Sequence, residues 1–342
     1  MFESVHGHGP ILSMLRNMHQ KEAIPNALCF HGVDGIGKRK VARELAQAKL
    51  CQTQNACGTC GPCKKFLSGL DPEGKTMHPD YKEIEPDGPA IKVGPIREIS
   101  ENLHYKPFEA SCRIFLIDQA ETMNEGAANA FLKSLEEPPA YVYFFLIASD
   151  LDKLLPTIRS RCQKIAFQPL TVHDKEQILM QSFQIEPVMA SKLARISYRR
   201  LETDTEAWDL FHEHVNRILS YFRAIVSSGV AMSHFSDIIR AKRDLYVFYD
   251  HFMACLREAL MRSKGLPGNP LFHEWDTLFV EITGKVRSED WIQAMDSFLY
   301  FMRHKRRNLN PDLWFNQFSV NELGQYRKSE SVHRRWLQKK SV

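Results

Sequence analysis

The chain has 342 residues, of which 44% are apolar and 25% are charged. This composition is ordinary for a globular protein of two or three domains, and it excludes collagen, coiled coil or disorder as a description of the whole chain. The longest strongly apolar run, Tyr141 to Ala148, is much shorter than the roughly 20 residues of a transmembrane helix. No secretory signal is visible in the first ten residues, so we expect a cytoplasmic protein.

The formal net charge of +4 is unevenly distributed. Residues 303 to 342 hold ten Lys or Arg and three Asp or Glu, so the remainder of the chain is slightly acidic. Such a basic segment can attract nucleic acid or an acidic partner surface. It is also consistent with a solvated helical face.

The first 170 residues alternate short apolar runs with helical patterns. A helix is predicted over Glu125 to Glu137, where Pro138 and Pro139 end it. Buried strands separated by helices are typical of βαβ units and a parallel sheet. The predicted strands are Ala27 to His31, Tyr81 to Glu85, Arg113 to Asp118 and Tyr141 to Ala148.

After Pro169 the chain is predicted to be helical. Thr171 and Asp174 form a capping-box pattern, and another helix is predicted to begin near Pro187. From about residue 205, apolar residues recur at spacings of three and four, which indicates long amphipathic helices. We therefore predict an α/β domain over 1–170, a small helical domain over 171–203 and an all-α domain over 204–342.

A phosphate-binding loop is predicted between the first strand and the first helix after it. Gly32, Gly35, Gly37 and Lys38 match the pattern G-x-x-x-x-G-K, in which glycines let backbone N–H groups surround phosphates. The next residue of that pattern is Ser or Thr, whose hydroxyl binds Mg²⁺. Here it is Arg39, which has no oxygen to offer. The motif therefore predicts a P-loop fold. It leaves nucleotide binding open, and Arg39 disfavours hydrolysis of ATP.

The apolar strand that ends at Asp118 resembles a Walker B strand, whose aspartate reaches the metal ion. In hydrolytic enzymes the next residue is usually a glutamate that orients water. Here it is Gln119, which is not a carboxylate base. Glu121 is expected to point elsewhere.

Four of the eight cysteines lie within thirteen residues. Cys51, Cys57, Cys60 and Cys63 offer four thiolates, which favours a closed, structural Zn²⁺ site. An iron–sulfur cluster and unliganded thiols are the alternatives. His78 is a possible substitute ligand, although His78-Pro79-Asp80 is better interpreted as a turn.

Together these motifs resemble the clamp-loader branch of the AAA+ proteins of bacterial DNA polymerase III. The resemblance covers most of residues 1–170 at the level of motifs, and the remainder only in architecture. Besides the phosphate loop and the four-cysteine module, it depends on His78 to Tyr81, Ile117 to Asn124, Ala128 to Pro139 and Leu155 to Cys162.

The resemblance implies an AAA+ P-loop NTPase-like domain with a zinc module inserted at about 51–78, a helical lid over 171–203 and a collar over 204–342. It implies a hetero-pentamer with gamma or tau and delta subunits that loads the sliding clamp on primed DNA. Arg161, in the Ser-Arg-Cys motif, corresponds to the arginine finger that enters a neighbour's ATP site. Ser149 lies where a polar sensor residue is expected.

Within this family, degraded nucleotide sites occur in a non-hydrolysing subunit, whereas motor subunits keep the hydroxyl and the acidic pair. Arg39 and Gln119 therefore favour a non-hydrolysing scaffold, although Lys38 leaves weak ATP or ADP binding open. An active clamp-loader ATPase is the first alternative. A zinc-dependent DNA-binding module is the second, and Lys64, Lys65 and Phe66 give it little support because stacking platforms need more than one aromatic residue.

Overall fold

The computed structural model describes residues 1–68, 77–198, 201–228, 235, 245–304 and 311–318. By their contacts these residues form two compact units, one consisting mainly of Met1–Ala190 and the other of Ser191–Tyr198 and the described residues from Glu202 onward. The three-part division at 170 and 203 stays a prediction. Most of the basic segment 303–342 lies outside the described residues. No described helix is long and apolar enough to cross a bilayer.

A parallel sheet of five strands forms the centre of the first unit, in the order β2-β3-β4-β1-β5. The strands are β1 Ala27–His31, β2 Tyr81–Ile84, β3 Arg113–Ile117, β4 Val142–Ala148 and β5 Gln163–Ala166. The helices are α1 Gly9–Gln20, α2 Lys38–Leu50, α3 Gly61–Ser68, α4 Val93–Asn102, α5 Glu125–Glu136, α6 Pro156–Arg161 and α7 Val172–Ser182. A further helix, α8 Pro187–Ile196, begins in this unit and continues into the second.

Helices cover both faces of the sheet, which explains the nearly continuous apolar sequences of β3 and β4. On one face, Leu45 of α2 belongs to the same core cluster as Phe145 of β4. On the other face, Ile96 of α4 and Phe131 of α5 cluster with Phe144. Neighbouring residues of β4 therefore serve two separate cores, as the alternation of side chains along a strand requires.

Four of the five strands agree with the sequence prediction to within one residue at each end. β5 was not predicted. Only Ile165 of its four residues is buried, and it is an edge strand paired with β1 alone, so its sequence carries no apolar pattern.

The second unit is helical around an aromatic core. Phe252 has ring contacts with Phe222, Phe248, Phe298 and Phe315, drawn from four helices. The described helices are α9 Glu206–Ser228, followed by Leu245–Ser263, Asp276–Thr283, Ser288–His304 and Pro311–Phe318, with a 3₁₀ turn at Pro270–Trp275.

Two histidines are buried together in this core. His214 of α9 and His251 of the helix Leu245–Ser263 are 1% and 2% exposed, and their Nδ1 atoms lie 2.9 Å apart. Burial lowers the pKa of His214 to about 4 and that of His251 to about 3. Both imidazoles are therefore neutral in the folded unit at neutral pH.

We expect the second unit to lose stability as the pH falls below 6.5, because the unfolded histidines bind protons that the folded ones do not. The free energy of unfolding should fall by about 1.4 kcal/mol per pH unit for each such histidine until its folded pKa is approached. Urea titrations from pH 7.5 to 4.5 would measure this through tryptophan fluorescence, since all five tryptophans lie at or after position 208.

His251→Leu should reduce this slope by about half, because one of two such protons is removed. His273→Gln is the matched control, because the side chain of His273 is 66% exposed in the same unit. A stability that stays constant between pH 6.5 and 4.5 would contradict the assignment.

Candidate functional site

Parallel strands bring the predicted site residues to one edge of the sheet. The phosphate loop follows β1, Glu85 follows β2, Asp118 follows β3 and Ser149 follows β4. Carboxyl ends of parallel strands are where ligands bind in open α/β sheets.

Glycine is required at three points of the phosphate loop. Gly32, Gly35 and Gly37 all have positive φ, of 144°, 76° and 93°. At Gly32 a Cβ atom would also lie 2.5 Å from the carbonyl oxygen of Phe167. The loop therefore has the tight strand-to-helix turn that the sequence predicts.

Lys38 is directed into this loop. It is only 5% exposed, and its Nζ donates hydrogen bonds to the carbonyl oxygens of Gly32 at 2.5 Å and Val33 at 2.7 Å. Asp34 Oδ1 lies 3.6 Å from the same ammonium. Burial lowers the pKa of Lys38, and Asp34 opposes that shift.

Arg39 contacts three carboxylates at the position where a P-loop ATPase would have its metal-binding hydroxyl. Its Nε donates to Glu83 Oε1 at 2.6 Å, its Nη1 lies 3.4 Å from Asp118 Oδ2, and its Nη2 pairs with Glu85. These acids raise the pKa of Arg39 against the opposing effect of its burial. A fixed guanidinium thus neutralises the acid that would serve a metal ion.

The end of β3 is shaped by backbone geometry. Gln119 has a positive φ of 49°, and its N–H donates to Asp118 Oδ1 at 2.9 Å. Burial raises the pKa of Asp118, while Arg39 opposes the shift. Gln119 itself is exposed and offers no carboxylate for general-base catalysis.

Glu121 acts inside the site, contrary to the expectation that it points elsewhere. Its Oε1 accepts a hydrogen bond from the backbone N–H of Ser149 at 2.9 Å and another from the Ser149 hydroxyl. It also lies near enough to Lys38 to oppose the lowering of the pKa of that group by burial. The 3₁₀ turn Ala120–Thr122 directs Glu121 back towards β4. No pattern in the sequence predicts this turn.

Arg161 lies apart from this cluster, in the last turn of α6. Its Nη2 lies 3.0 Å from Glu136 Oε1, its Nη1 donates to the carbonyl oxygen of Thr157 at 3.1 Å, and its side chain is 37% exposed. An exposed pair of this kind is worth about 0–1 kcal/mol. The guanidinium can therefore exchange Glu136 for another anion at small cost.

The four cysteines form a compact cluster between α2 and α3. The Sγ of Cys51 lies 3.6 Å from that of Cys57 and 3.9 Å from that of Cys60, and all four sulfurs, including Cys63, lie within 4.8 Å of one another. A tetrahedral Zn²⁺ with Zn–S bonds of about 2.3 Å separates its sulfurs by about 3.8 Å. The cluster can hold one metal ion, and its donors and spacing fit zinc.

Local hydrogen bonds prepare part of this cluster for metal. The Thr59 hydroxyl lies 3.4 Å from the Cys57 sulfur and donates to it, and backbone N–H groups of Cys60 and Thr59 add to the effect. The pKa of Cys57 is thereby lowered to about 5. Burial raises the pKa of Cys63 to about 12.

His78 is not part of the cluster and forms the predicted turn. Its Nδ1 accepts a hydrogen bond from the Asp80 N–H at 3.1 Å. The Asp80 carboxylate in turn accepts hydrogen bonds from three backbone N–H groups, those of Phe108, Glu109 and Ala110. The His-Pro-Asp sequence therefore anchors the loop before β3.

Comparisons with known proteins agree with these features. Residues 7–171 match the family described as DNA polymerase III, delta subunit. The chain is 28% identical to DNA polymerase III subunit delta' of Bacillus subtilis, over 86% of this chain and 83% of that protein.

Two further relatives are gamma and tau subunits. The chain is 30% identical to DNA polymerase III subunit gamma of Buchnera aphidicola from Acyrthosiphon pisum, over 96% of this chain and 84% of that protein. It is 29% identical to subunit tau of Escherichia coli, over 87% of this chain but only 45% of the longer protein. The chain therefore belongs to the family of DNA polymerase III clamp-loader subunits, and within that family it is delta'-like.

Proposed function

We propose that this chain is a non-hydrolysing subunit of the clamp loader, which lends Arg161 to the ATP site of a neighbouring subunit. The observation that carries the proposal is the contact of Arg39 with Asp118 at 3.4 Å, at the position a metal-binding hydroxyl would occupy. Phosphoryl transfer from ATP needs Mg²⁺ held by such a hydroxyl and a Walker B aspartate. A fixed positive charge beside Asp118 repels that ion.

The geometry of Arg161 supports its role as a finger. Its guanidinium lies at the surface, at the end of the proline-initiated helix α6, and its present partner Glu136 is 55% exposed. Since a guanidinium is always charged and fits phosphate oxygens in pairs, it is suited to an ATP site supplied by another chain. The residue would then act in trans.

The same proposal extends to the partners. A delta'-like subunit is expected to assemble with gamma or tau and with delta in a hetero-pentamer that places the sliding clamp on primed DNA. The helical lid and collar, at 171–203 and 204–342, would support that assembly.

We also propose that the four-cysteine cluster binds one structural Zn²⁺. Its four thiolates would complete a tetrahedral shell and leave no open coordination position. The ion would connect Cys51 at the end of α2 to Cys63 in α3, and so fix the short segment between them.

An active motor subunit remains the second candidate, because Lys38 is retained and a gamma subunit matches most of the chain. Two residues argue against an active motor subunit. Arg39 stands in place of the metal-binding hydroxyl, and Gln119 stands in place of the general base. Nucleotide binding without turnover is compatible with the primary proposal.

The purified chain should show no ATP turnover above background, because the metal hydroxyl and the carboxylate after Asp118 are both missing. Arg39→Thr should remain inactive, since it restores only one of the two. A coupled-enzyme assay with a mock purification measures this. Turnover that persists through that control and disappears in Lys38→Ala would overturn the proposal.

A further inference from the structure

Arg39 does more than exclude a metal ion, because it connects three elements of the first unit. It belongs to α2, whereas its acidic partners come from β2, from the residue after β2 and from the end of β3. β2 is a short edge strand with a single neighbouring strand in the sheet. The guanidinium therefore connects this edge of the sheet to the helix of the phosphate loop.

The most buried of these partners is Glu83, whose side chain is 3% exposed. Its Oε1 is bound by Arg39, while its Oε2 accepts a hydrogen bond from the Tyr81 hydroxyl at 3.1 Å and lies 3.8 Å from Arg43. A buried carboxylate is costly unless it is paired and hydrogen-bonded.

If Arg39 were removed, three carboxylates would lie close together and would lose the cation that contacts all of them. They belong to Glu83, Glu85 and Asp118. Oxygen ligands of this kind attract divalent cations such as Mg²⁺. In this chain the three carboxylates already contact a cation that is part of the protein, the Arg39 guanidinium.

We propose that Arg39 is an internal cation that replaces the divalent metal at this edge of the sheet, so that the fold of the phosphate loop needs neither metal nor nucleotide. The proposal rests on the proposed function, since it explains how a subunit that does not turn over ATP keeps an ordered P-loop.

The test compares thermal unfolding of the full chain with and without millimolar Mg²⁺, in the absence of nucleotide. Buffers are treated with a chelating resin before the protein is added, because soluble chelators would also strip a thiolate-bound metal. Calorimetry follows the whole chain, and tryptophan fluorescence follows the second unit alone, since that unit holds every described tryptophan.

The wild-type Tm should change by less than about 1 °C on addition of Mg²⁺, because Arg39 already lies among the three carboxylates. Arg39→Thr should lower the calorimetric Tm by about 5 °C, and Mg²⁺ should recover half or more of that loss. The tryptophan transition should not move. Arg39→Lys keeps a cation and should show no Mg²⁺ response.

Arg43→Thr is the matched control, because it removes a neighbouring arginine of Glu83 and leaves Arg39 in place. Its Tm should not respond to Mg²⁺. If Arg39→Thr does not fold without metal, refolding with Mg²⁺ is measured instead, and failure to refold contradicts the proposal. The proposal would also be overturned if Arg39→Thr kept the wild-type Tm, or if Mg²⁺ did not reverse its loss of Tm. An equal change of Tm with Mg²⁺ in the wild type would overturn it as well. None of these outcomes depends on ATP turnover, so they are distinct from failure of the proposed function.

Discussion

Arg161→Ala should reduce ATP turnover at one subunit interface of the assembled clamp loader by about 10³-fold or more, the range expected when an arginine finger is removed. The substituted chain should still fold, because loss of an exposed arginine usually changes stability by under about 0.5 kcal/mol. Arg161→Lys should restore little, since an ammonium lacks the planar fork that binds two phosphate oxygens.

The measurement is single-turnover ATP hydrolysis, together with clamp loading, in complexes whose assembly is verified by size exclusion. Arg159→Ala is the matched control, because Arg159 lies in the same helix and pairs with Asp152 at 2.6 Å. It should leave turnover unchanged. Wild-type rates in a fully assembled Arg161→Ala complex would remove the finger role.

Cys60→Ser should lower the zinc content from one ion per chain to near zero after gel filtration. Binding of structural zinc by small peptides amounts to about 10–16 kcal/mol, and one missing thiolate removes a large share of it. The rest of the first unit should stay folded, because its two cores are built mainly on the sheet and the helices beside it, and the module adds Phe66 to one of them. Hydrogen exchange should increase in α3 and the segment before it.

Cys112→Ala is the control for that experiment, since Cys112 is buried outside the cluster beside the carbonyl oxygen of Lys49. It should keep the full zinc content. Elemental analysis that finds iron with sulfide, or no metal in reduced wild-type protein, would reject the zinc assignment.

The parts of the fold that the sequence predicted are those encoded by neighbouring residues. The glycines of the phosphate loop, the four cysteines and the apolar strands β1, β3 and β4 each carry a local pattern. β5 could not be recognised, because Gln163–Ala166 pairs with one neighbour and buries a single side chain.

The partners of the site residues were harder to predict. The sequence showed that Arg39 could not replace a hydroxyl, but its partner Glu83 lies 44 positions away, in a strand recognised only by a weak pattern. The contact of Glu121 with Ser149 likewise depends on how β3 and β4 pair in the sheet. Such contacts follow from the topology of the sheet, which the local patterns of one sequence do not reveal.

We expect this chain to contribute to a neighbour's ATP site and to turn over no ATP in its own. ATP turnover of the same reconstituted clamp loader, measured with Lys38→Ala or Arg161→Ala in this chain, distinguishes the two roles. We expect a rate within about twofold of wild type for Lys38→Ala, and a loss of about 10³-fold at one interface for Arg161→Ala. A large loss with Lys38→Ala and a wild-type rate with Arg161→Ala would contradict this expectation.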